Sequence, residues 1–191
     1  MKTFPVHNKT INSLLWIAFI SFFSFKMLEI VLPYTSWEWD VDFLLTKQYF
    51  VHLDHYRLAF YSHIFSSLFV LFSGAFLFSG YVLKNHTVLH RWIGKIYIVL
   101  LLFISAPSGM VMAFYANGGW MVKMSFLILT PLWWWCTYKG YQMARRQQFK
   151  AHKVWMMRSY ALTLSAVSLR IYQLILGHFF YMDPVVQYLL V

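Results

Sequence analysis

Long windows without Lys, Arg, Asp or Glu are the feature that most constrains how this chain can fold. Residues 58–83 and 96–122 contain none of these four residue types. Apolar windows of about twenty residues have the length that crosses a bilayer as an α-helix. Hydrophobic residues make up 60% of the 191 residues and charged residues only 12%. The sequence therefore predicts an all-α, polytopic integral membrane protein.

We predict a single transmembrane domain over residues 1–191, folded as a bundle of five transmembrane helices. The predicted spans cover about 11–33, 58–83, 90–115, 120–141 and 152–180. Pro107 is expected to kink the third span, and Asn117-Gly118-Gly119 is a turn signal. The short connections leave no room for a soluble domain, so any site must be built from the spans or their ends.

The charged residues segregate to the two sides of this bundle. With the N-terminus in the cytoplasm, eleven of the sixteen Lys and Arg residues face inward and all six acidic residues face outward. This is the positive-inside pattern, and it predicts a multi-pass protein with the N-terminus in the cytoplasm and the C-terminus outside. Orientation, rather than nucleic-acid binding, explains the net charge of +10. The expected partners are the lipid bilayer and a further membrane protein.

The fifth predicted span carries its polar residues on one face. Counted at about 100° per residue, five positions share one azimuth to within about 40°: His152, Met156, Ser159, Thr163 and Arg170. An Arg side chain is costly in hydrocarbon, so it is tolerated where it meets a partner, a cavity or the headgroups. We predict that this face contacts protein.

Two pairings are open for the acidic residue of the first span. Lys26 and Glu29 are three residues apart and can pair on their own helix. Glu29 is also the only acidic residue within a span that can reach the depth of Arg170, so we predict a structural ion pair between the first and fifth spans. The middle of the spans lacks ionisable residues, which argues against a pump or transporter.

Histidines at the inner ends of spans are the candidate cofactor ligands. His90 and His152 begin the third and fifth spans at one depth, and two facing imidazoles are the axial ligands that haem b requires. Nearby Arg91, Lys95 and Arg158 could receive the haem propionates. The plainer alternative is that both histidines are interfacial residues beside anionic headgroups. A quinone or lipid-headgroup site is a third alternative.

His63 lies toward the outer side, on a span rich in small residues. It is either a further cofactor ligand or a hydrogen-bonding residue against a closely packed neighbouring helix. No C-x-x-C-H sequence is present, which excludes covalent c-type haem. The chain has no phosphate loop, nucleophile elbow or H-E-x-x-H motif, so the sequence does not decide whether it is an enzyme.

Five features carry a likeness to a known family: His63 with the small-residue helix after it, Leu89–Lys95 (LHRWIGK), Ser108-Gly109, Asn117-Gly118-Gly119, and His152–Ser159 (HKVWMMRS) continuing to Leu169-Arg170. Together they resemble the bacterial predicted membrane proteins grouped as domain of unknown function 2306. The likeness covers about Ser62 to Arg170. It implies the spans and the positions of the His and Arg residues, and the family has no settled activity. At a lower level the layout is similar to that of four-helix membrane cytochromes b.

Two classes of function follow from this sequence. The first is a small protein of the bacterial inner (cytoplasmic) membrane with a cytochrome-b-like bundle, which binds haem or another redox cofactor near the inner face and serves electron transfer or a respiratory complex. The second is a non-catalytic accessory or assembly subunit of a larger membrane complex. An absorption spectrum of the purified protein separates the two.

Overall fold

α-Helices dominate the computed structural model, which describes residues 6–180 and the side chains of residues 14–173, 175 and 177–179. In order these are α1 (Val6–Val31), α2 (Asp54–Leu77), α3 (Gly80–Asn85), α4 (Thr87–Leu100), α5 (Ala106–Phe114), α6 (Gly119–Arg145) and α7 (Phe149–Phe180). Two 3-10 helices, Leu32–Ser36 and Asp42–Lys47, separate α1 from α2, and a π-helical turn, Leu101–Ser105, joins α4 to α5. The all-α prediction is confirmed. The N-terminus was predicted to lie in the cytoplasm and the C-terminus outside. Both chain ends lie outside the described residues.

Four stretches within the described residues are long and apolar enough to cross a membrane: Leu14–Ser36, Asp54–Leu77, Thr87–Phe114 and Phe149–Phe179. The polytopic membrane class is therefore confirmed. The predicted span over about 120–141 forms one continuous helix, α6, of 27 residues, yet it is not among these four. Lys123, Lys139 and the run Trp133–Trp135 lower its mean hydropathy. The prediction of five spans thus holds for four of them.

The end of the second span differs from its prediction. The helix was expected to continue to about residue 83, but α2 ends at Leu77. Ser79 takes an extended conformation, and its Oγ accepts the N–H of Val82 at 3.4 Å. A serine cap of this kind satisfies the free amide groups at the start of a helix, so the short helix α3 begins there as a separate element.

The kink predicted at Pro107 takes the form of the π-helical turn directly before it. Pro107 has no N–H, and its ring crowds the carbonyl group four residues earlier. The widened turn instead closes a bond from the N–H of Ala106 to the carbonyl of Leu101, five residues back. Turns of this type occur as single insertions in α-helices, often at functional sites.

The polar face of α7 is buried against the rest of the bundle, as predicted. Ser159 is completely buried, and Met156 and Thr163 are also buried. The Oγ of Ser159 lies 2.9 Å from the hydroxyl of Tyr97 on α4 and 2.6 Å from Oγ1 of Thr137 on α6. These bonds tie three helices together in the interior of the bundle.

The two ends of the bundle differ in charge. At one end, here called the acidic end, the segment between α1 and α2 carries Glu38, Asp40 and Asp42 and packs its apolar side chains onto α2. Leu44 and Val51 of this segment are buried. The opposite end, the basic end, carries the α6–α7 connection with its Arg and Lys residues. The large apolar side chains of α1, such as Phe22 and Phe25, are exposed and provide a surface for lipid.

A candidate binding cavity at the acidic end

A cavity of about 320 Å³ lies between α1, α2, α5, α6 and α7 and extends inward from the acidic end. Its walls are aliphatic and aromatic, and include Met27, Phe60, Leu71, Met112, Phe126 and Leu129. Its polar lining includes Lys47, Tyr56, His63, Ser67, Asn117 and Arg170. The lining contains cationic side chains and no Asp or Glu among the described residues. Small-molecule sites in proteins have this character, with apolar walls and a few placed polar groups.

His63 is positioned in the cavity wall by the π-helical turn. Its Nδ1 lies 2.8 Å from the carbonyl oxygen of Ser105. Because a carbonyl oxygen can only accept, Nδ1 carries the proton, which leaves Nε2 as an acceptor 3.4 Å from Oγ of Ser67. The bond to Ser105 confirms the prediction that His63 forms a hydrogen bond to a neighbouring helix, and the packing is close, because a Cβ added at Gly109 would lie 2.9 Å from Cε1 of the ring. A role of His63 as a cofactor ligand stays a prediction.

The same turn also fixes α6. The carbonyl oxygen of Leu102 accepts the Nε1–H of Trp134 at 3.1 Å. A π-helical turn shifts the ladder of backbone bonds, so its carbonyl groups can accept bonds from side chains of neighbouring helices. Leu102 and Ser105 thereby connect the turn to α6 and to α2, respectively.

Lys47 is a buried cation with neutral partners. Its side chain is 1% exposed, and Nζ donates to the carbonyl oxygen of Tyr115 and, at 2.5 Å, to Oδ1 of Asn117. Nζ also lies 5.4 Å from the centre of the Phe43 ring. Burial lowers the pKa of the Lys47 ammonium to about 8, and the charge of Lys123 acts in the same direction. The ammonium is still mostly charged at pH 7.

Tyr56 contributes a second polar group to the cavity. Its side chain is 1% exposed, and its hydroxyl has no hydrogen-bond partner among the described residues. A buried polar group left without a partner costs about 1–3 kcal/mol. The hydroxyl is therefore a donor available to a molecule held in the cavity.

Arg170 lies in the cavity lining, and its Nη1 donates to Oε1 of Gln173 at 2.7 Å. Glu29 pairs instead with Lys26, at 2.8 Å, where both side chains are exposed. The pairing of Lys26 with Glu29 on one helix is thus confirmed. The ion pair between Glu29 and Arg170 stays a prediction.

His90 and His152 lie near one another at the basic end, close enough to interact electrostatically. Nδ1 of His152 lies 2.8 Å from the carbonyl oxygen of Gly140, whereas Nδ1 of His90 is buried with no partner among the described residues. The described part of the chain contains no group of three or more His, Cys, Asp or Glu side chains that could hold a metal ion. Haem binding between His90 and His152 would need only two such side chains, so this finding does not test it. The haem site stays a prediction.

Of the three cations expected to receive haem propionates, two lie over tryptophan rings and one is exposed. The guanidinium of Arg158 lies over the ring of Trp155, with its Cζ 4.6 Å from the ring centre, and Nζ of Lys95 lies 5.1 Å from the ring centre of Trp92. Arg91 is exposed. Neither His90 nor His152 lines the cavity at the acidic end.

Sequence reasoning missed Lys47 and Tyr56 as functional candidates. A signal for Lys47 was present in the sequence, because the residues three and four positions before it and after it are all apolar: Phe43, Leu44, Phe50 and Val51. That spacing places the lysine on the apolar face of a helical segment. For Tyr56 no comparable signal exists.

Comparison with known families agrees with the likeness in the motifs. The model of the predicted membrane proteins called domain of unknown function 2306 matches residues 60–191. The chain belongs to this family. The match includes His63 and all of α4 to α7, while Lys47 and Tyr56 of this family member precede it. No curated protein and no solved structure matches the chain, and the weaker likeness to cytochromes b stays a prediction.

Proposed function

We propose that this protein binds a small amphiphile within the membrane and holds it in the cavity at the acidic end. The observation that carries this proposal is the combination of apolar walls with polar side chains, Lys47 and Tyr56 among them, in one space. A volume of about 320 Å³ lies at the lower end of the range of small-molecule pockets. It suits a molecule with one chain rather than a two-chain phospholipid.

Holding an amphiphile requires no catalytic group. This function therefore fits the second class derived from the sequence, a non-catalytic accessory subunit of a larger membrane complex. In that role the protein would present or withhold the amphiphile for a membrane partner.

Filling the cavity tests this proposal. Ala166 on α7 lines the cavity and is not buried, so a Phe ring placed there should occupy ligand space without overpacking the core. We expect wild-type protein in phosphatidylcholine nanodiscs to bind dansyl-undecanoic acid saturably at one molecule per chain, as measured by dansyl fluorescence. Ala166→Phe should weaken this binding at least tenfold.

The matched control is Ala161→Phe, an exposed position on the same helix that does not line the cavity. It should bind the probe as the wild type does. Unsaturable binding to the wild type, or equal affinity in the two variants, would overturn the proposed function.

Haem binding at the basic end is a second candidate function, favoured by the arrangement of two imidazoles. Since the carbonyl of Gly140 accepts from Nδ1 of His152, the lone pair of His152 falls on Nε2, as in metal-ligating histidines. The buried, unpartnered Nδ1 of His90 lies nearby. A Soret band that shifts on reduction of the purified protein would support this function, and a colourless protein would refute it.

We also propose that α6 crosses the membrane as a fifth span. Its bonds reach α7 near the start of that helix, between Gly140 and His152, and again near its middle, where Nε1 of Trp133 donates to Oγ1 of Thr163 at 3.0 Å. Since α6 contacts the candidate span α7 both near the start and near the middle of α7, the two helices run side by side. This supports a crossing of the membrane by α6 at the depth of α7. In a bacterial inner membrane, the positive-inside rule then places the basic end in the cytoplasm.

Single cysteines introduced into a Cys136→Ser background test this topology. We expect Asn117→Cys to react with an impermeant maleimide in intact cells, whereas Asn85→Cys and Gln148→Cys should react only after permeabilisation. If Asn117→Cys and Gln148→Cys react from the same side, α6 does not cross. If Asn85→Cys and Gln148→Cys react in intact cells and Asn117→Cys does not, the orientation is the reverse.

A further inference from the structure

We infer that the amphiphile carries an acidic headgroup, a carboxylate or a phosphate monoester, whose oxygens are bound by the ammonium of Lys47 and the hydroxyl of Tyr56. This inference rests on the proposed function, because it names the ligand class of the same cavity.

The charge balance around Lys47 is the first argument. Its two hydrogen-bond partners, the carbonyl of Tyr115 and the side-chain amide of Asn117, are neutral, and the charge that acts on it, Lys123, has the same sign. Ion pairs within 4.0 Å in the described residues are Lys26–Glu29 and Arg57–Asp54, so none of them compensates Lys47. Burying an uncompensated charge is strongly unfavourable. An anion in the cavity would remove that cost.

The acidic residues of the same end do not supply this anion. Glu38, Asp40 and Asp42 are all exposed, and no Asp or Glu among the described residues lines the cavity. The segment that brings Lys47 inward thus keeps its own carboxylates in the aqueous or headgroup region. Within the described residues no carboxylate reaches Lys47, and an anion that enters the cavity would supply the negative charge.

Tyr56 gives an independent second argument. It is almost completely buried, lines the same cavity, and its hydroxyl lacks a partner among the described residues. A phenolic hydroxyl and an ammonium together provide the donors that bind carboxylate or phosphate oxygens. A neutral headgroup would use the Tyr56 donor but leave the Lys47 charge uncompensated.

The shape of the cavity supports a linear chain attached to this headgroup. The α2 residues in its wall form a stripe at helical spacing: Tyr56, Phe60, His63, Ser67 and Leu71. The stripe is about 22 Å long at the rise of an α-helix. The chain of the amphiphile would follow it from Tyr56 toward the interior of the bundle.

Competition against dansyl-undecanoic acid in neutral phosphatidylcholine nanodiscs tests the headgroup. The competitors are dodecanoic acid, dodecyl phosphate and dodecanol, which share one chain and differ in the headgroup. We expect at least one of the two acids to displace the probe at a concentration tenfold or more below that of dodecanol, and the better acid identifies the headgroup. If dodecanol competes equally well, this inference is overturned while the proposed function stands. If the probe does not bind, both fall.

Variants of Lys47 test whether its charge causes the preference for an acidic headgroup. Lys47→Met should abolish the acid preference, and Lys47→Arg should retain it, because the charge is kept. Lys123→Met is the matched control: it removes a nearby cation that does not line the cavity, so the acid preference should persist. An acid preference that survives Lys47→Met, or that disappears in Lys123→Met, contradicts the assignment to Lys47.

Tyr56→Phe provides a test that does not depend on the behaviour of a buried charge. The variant removes a hydroxyl that bonds to no described residue, so the melting temperature should not fall. Acid binding should weaken severalfold. A lower melting temperature together with unchanged binding would show that the hydroxyl serves the fold, and would remove Tyr56 from the site.

Discussion

Gly74→Ala is expected to destabilise this protein strongly, although it adds a single methyl group. A Cβ at Gly74 would overlap the ring of Tyr160, which is 2% exposed and whose hydroxyl donates to the carbonyl oxygen of Leu71 at 2.7 Å. Overpacking of this kind costs about 1–3 kcal/mol, and displacement of the ring adds the loss of a buried hydrogen bond, about 1 kcal/mol.

The measurement is the free energy of unfolding in lipid or the melting temperature in a mild detergent. In a helix, alanine is intrinsically more stable than glycine by roughly 0.5–1 kcal/mol. A net loss of stability in Gly74→Ala would therefore mean that the cost of the overlap is larger than this intrinsic gain. Gly80→Ala is the control, since a Cβ there has nothing within 4 Å. If the two variants have the same stability, the contact between α2 and α7 at Gly74 is looser than described.

His63→Leu is expected to have the second large effect, on stability and on ligand binding together. Leucine fills similar space but cannot donate to the carbonyl oxygen of Ser105, which His63 bonds at 2.8 Å. A buried acceptor deprived of its donor costs about 1–3 kcal/mol. Because His63 also lines the cavity, the affinity for dansyl-undecanoic acid should fall as well.

His178→Leu is the matched control for this variant. His178 is exposed near the end of α7, so its replacement should change stability by less than about 0.5 kcal/mol. Unchanged melting temperature in His63→Leu would mean that the oxygen of Ser105 is sufficiently satisfied by Oγ of Ser108, which lies 3.1 Å away.

Local patterns were enough to predict the helices and the buried face of α7. Hydropathy over about twenty residues and the 3.6-residue period depend only on neighbouring positions. Met156, Ser159 and Thr163 share one azimuth whatever the rest of the chain does. The same pattern was not enough to settle the number of spans, because Lys123, Lys139 and the tryptophans of α6 lower the mean hydropathy of that helix.

The candidate cavity could not be predicted from such patterns. The bond from Lys47 to Tyr115 joins residues 68 positions apart, and the bond from His63 to Ser105 joins residues 42 positions apart. Glu29 had two possible cationic partners in the sequence, Lys26 three positions away and Arg170 on a distant helix, and the structure shows the contact with Lys26. These outcomes depend on how separate helices are rotated and staggered.

The amino-acid sequence alone determined that this is a polytopic all-α membrane protein, that charge divides between its two ends, and that one face of α7 is turned toward protein, because each of these properties follows from residues close together in the chain. Only the tertiary structure decided that Lys47 and Tyr56 enter one cavity with His63, and that a π-helical turn holds the histidine there. Interhelical packing places groups that are far apart in sequence within bonding distance, and a linear pattern does not specify that packing.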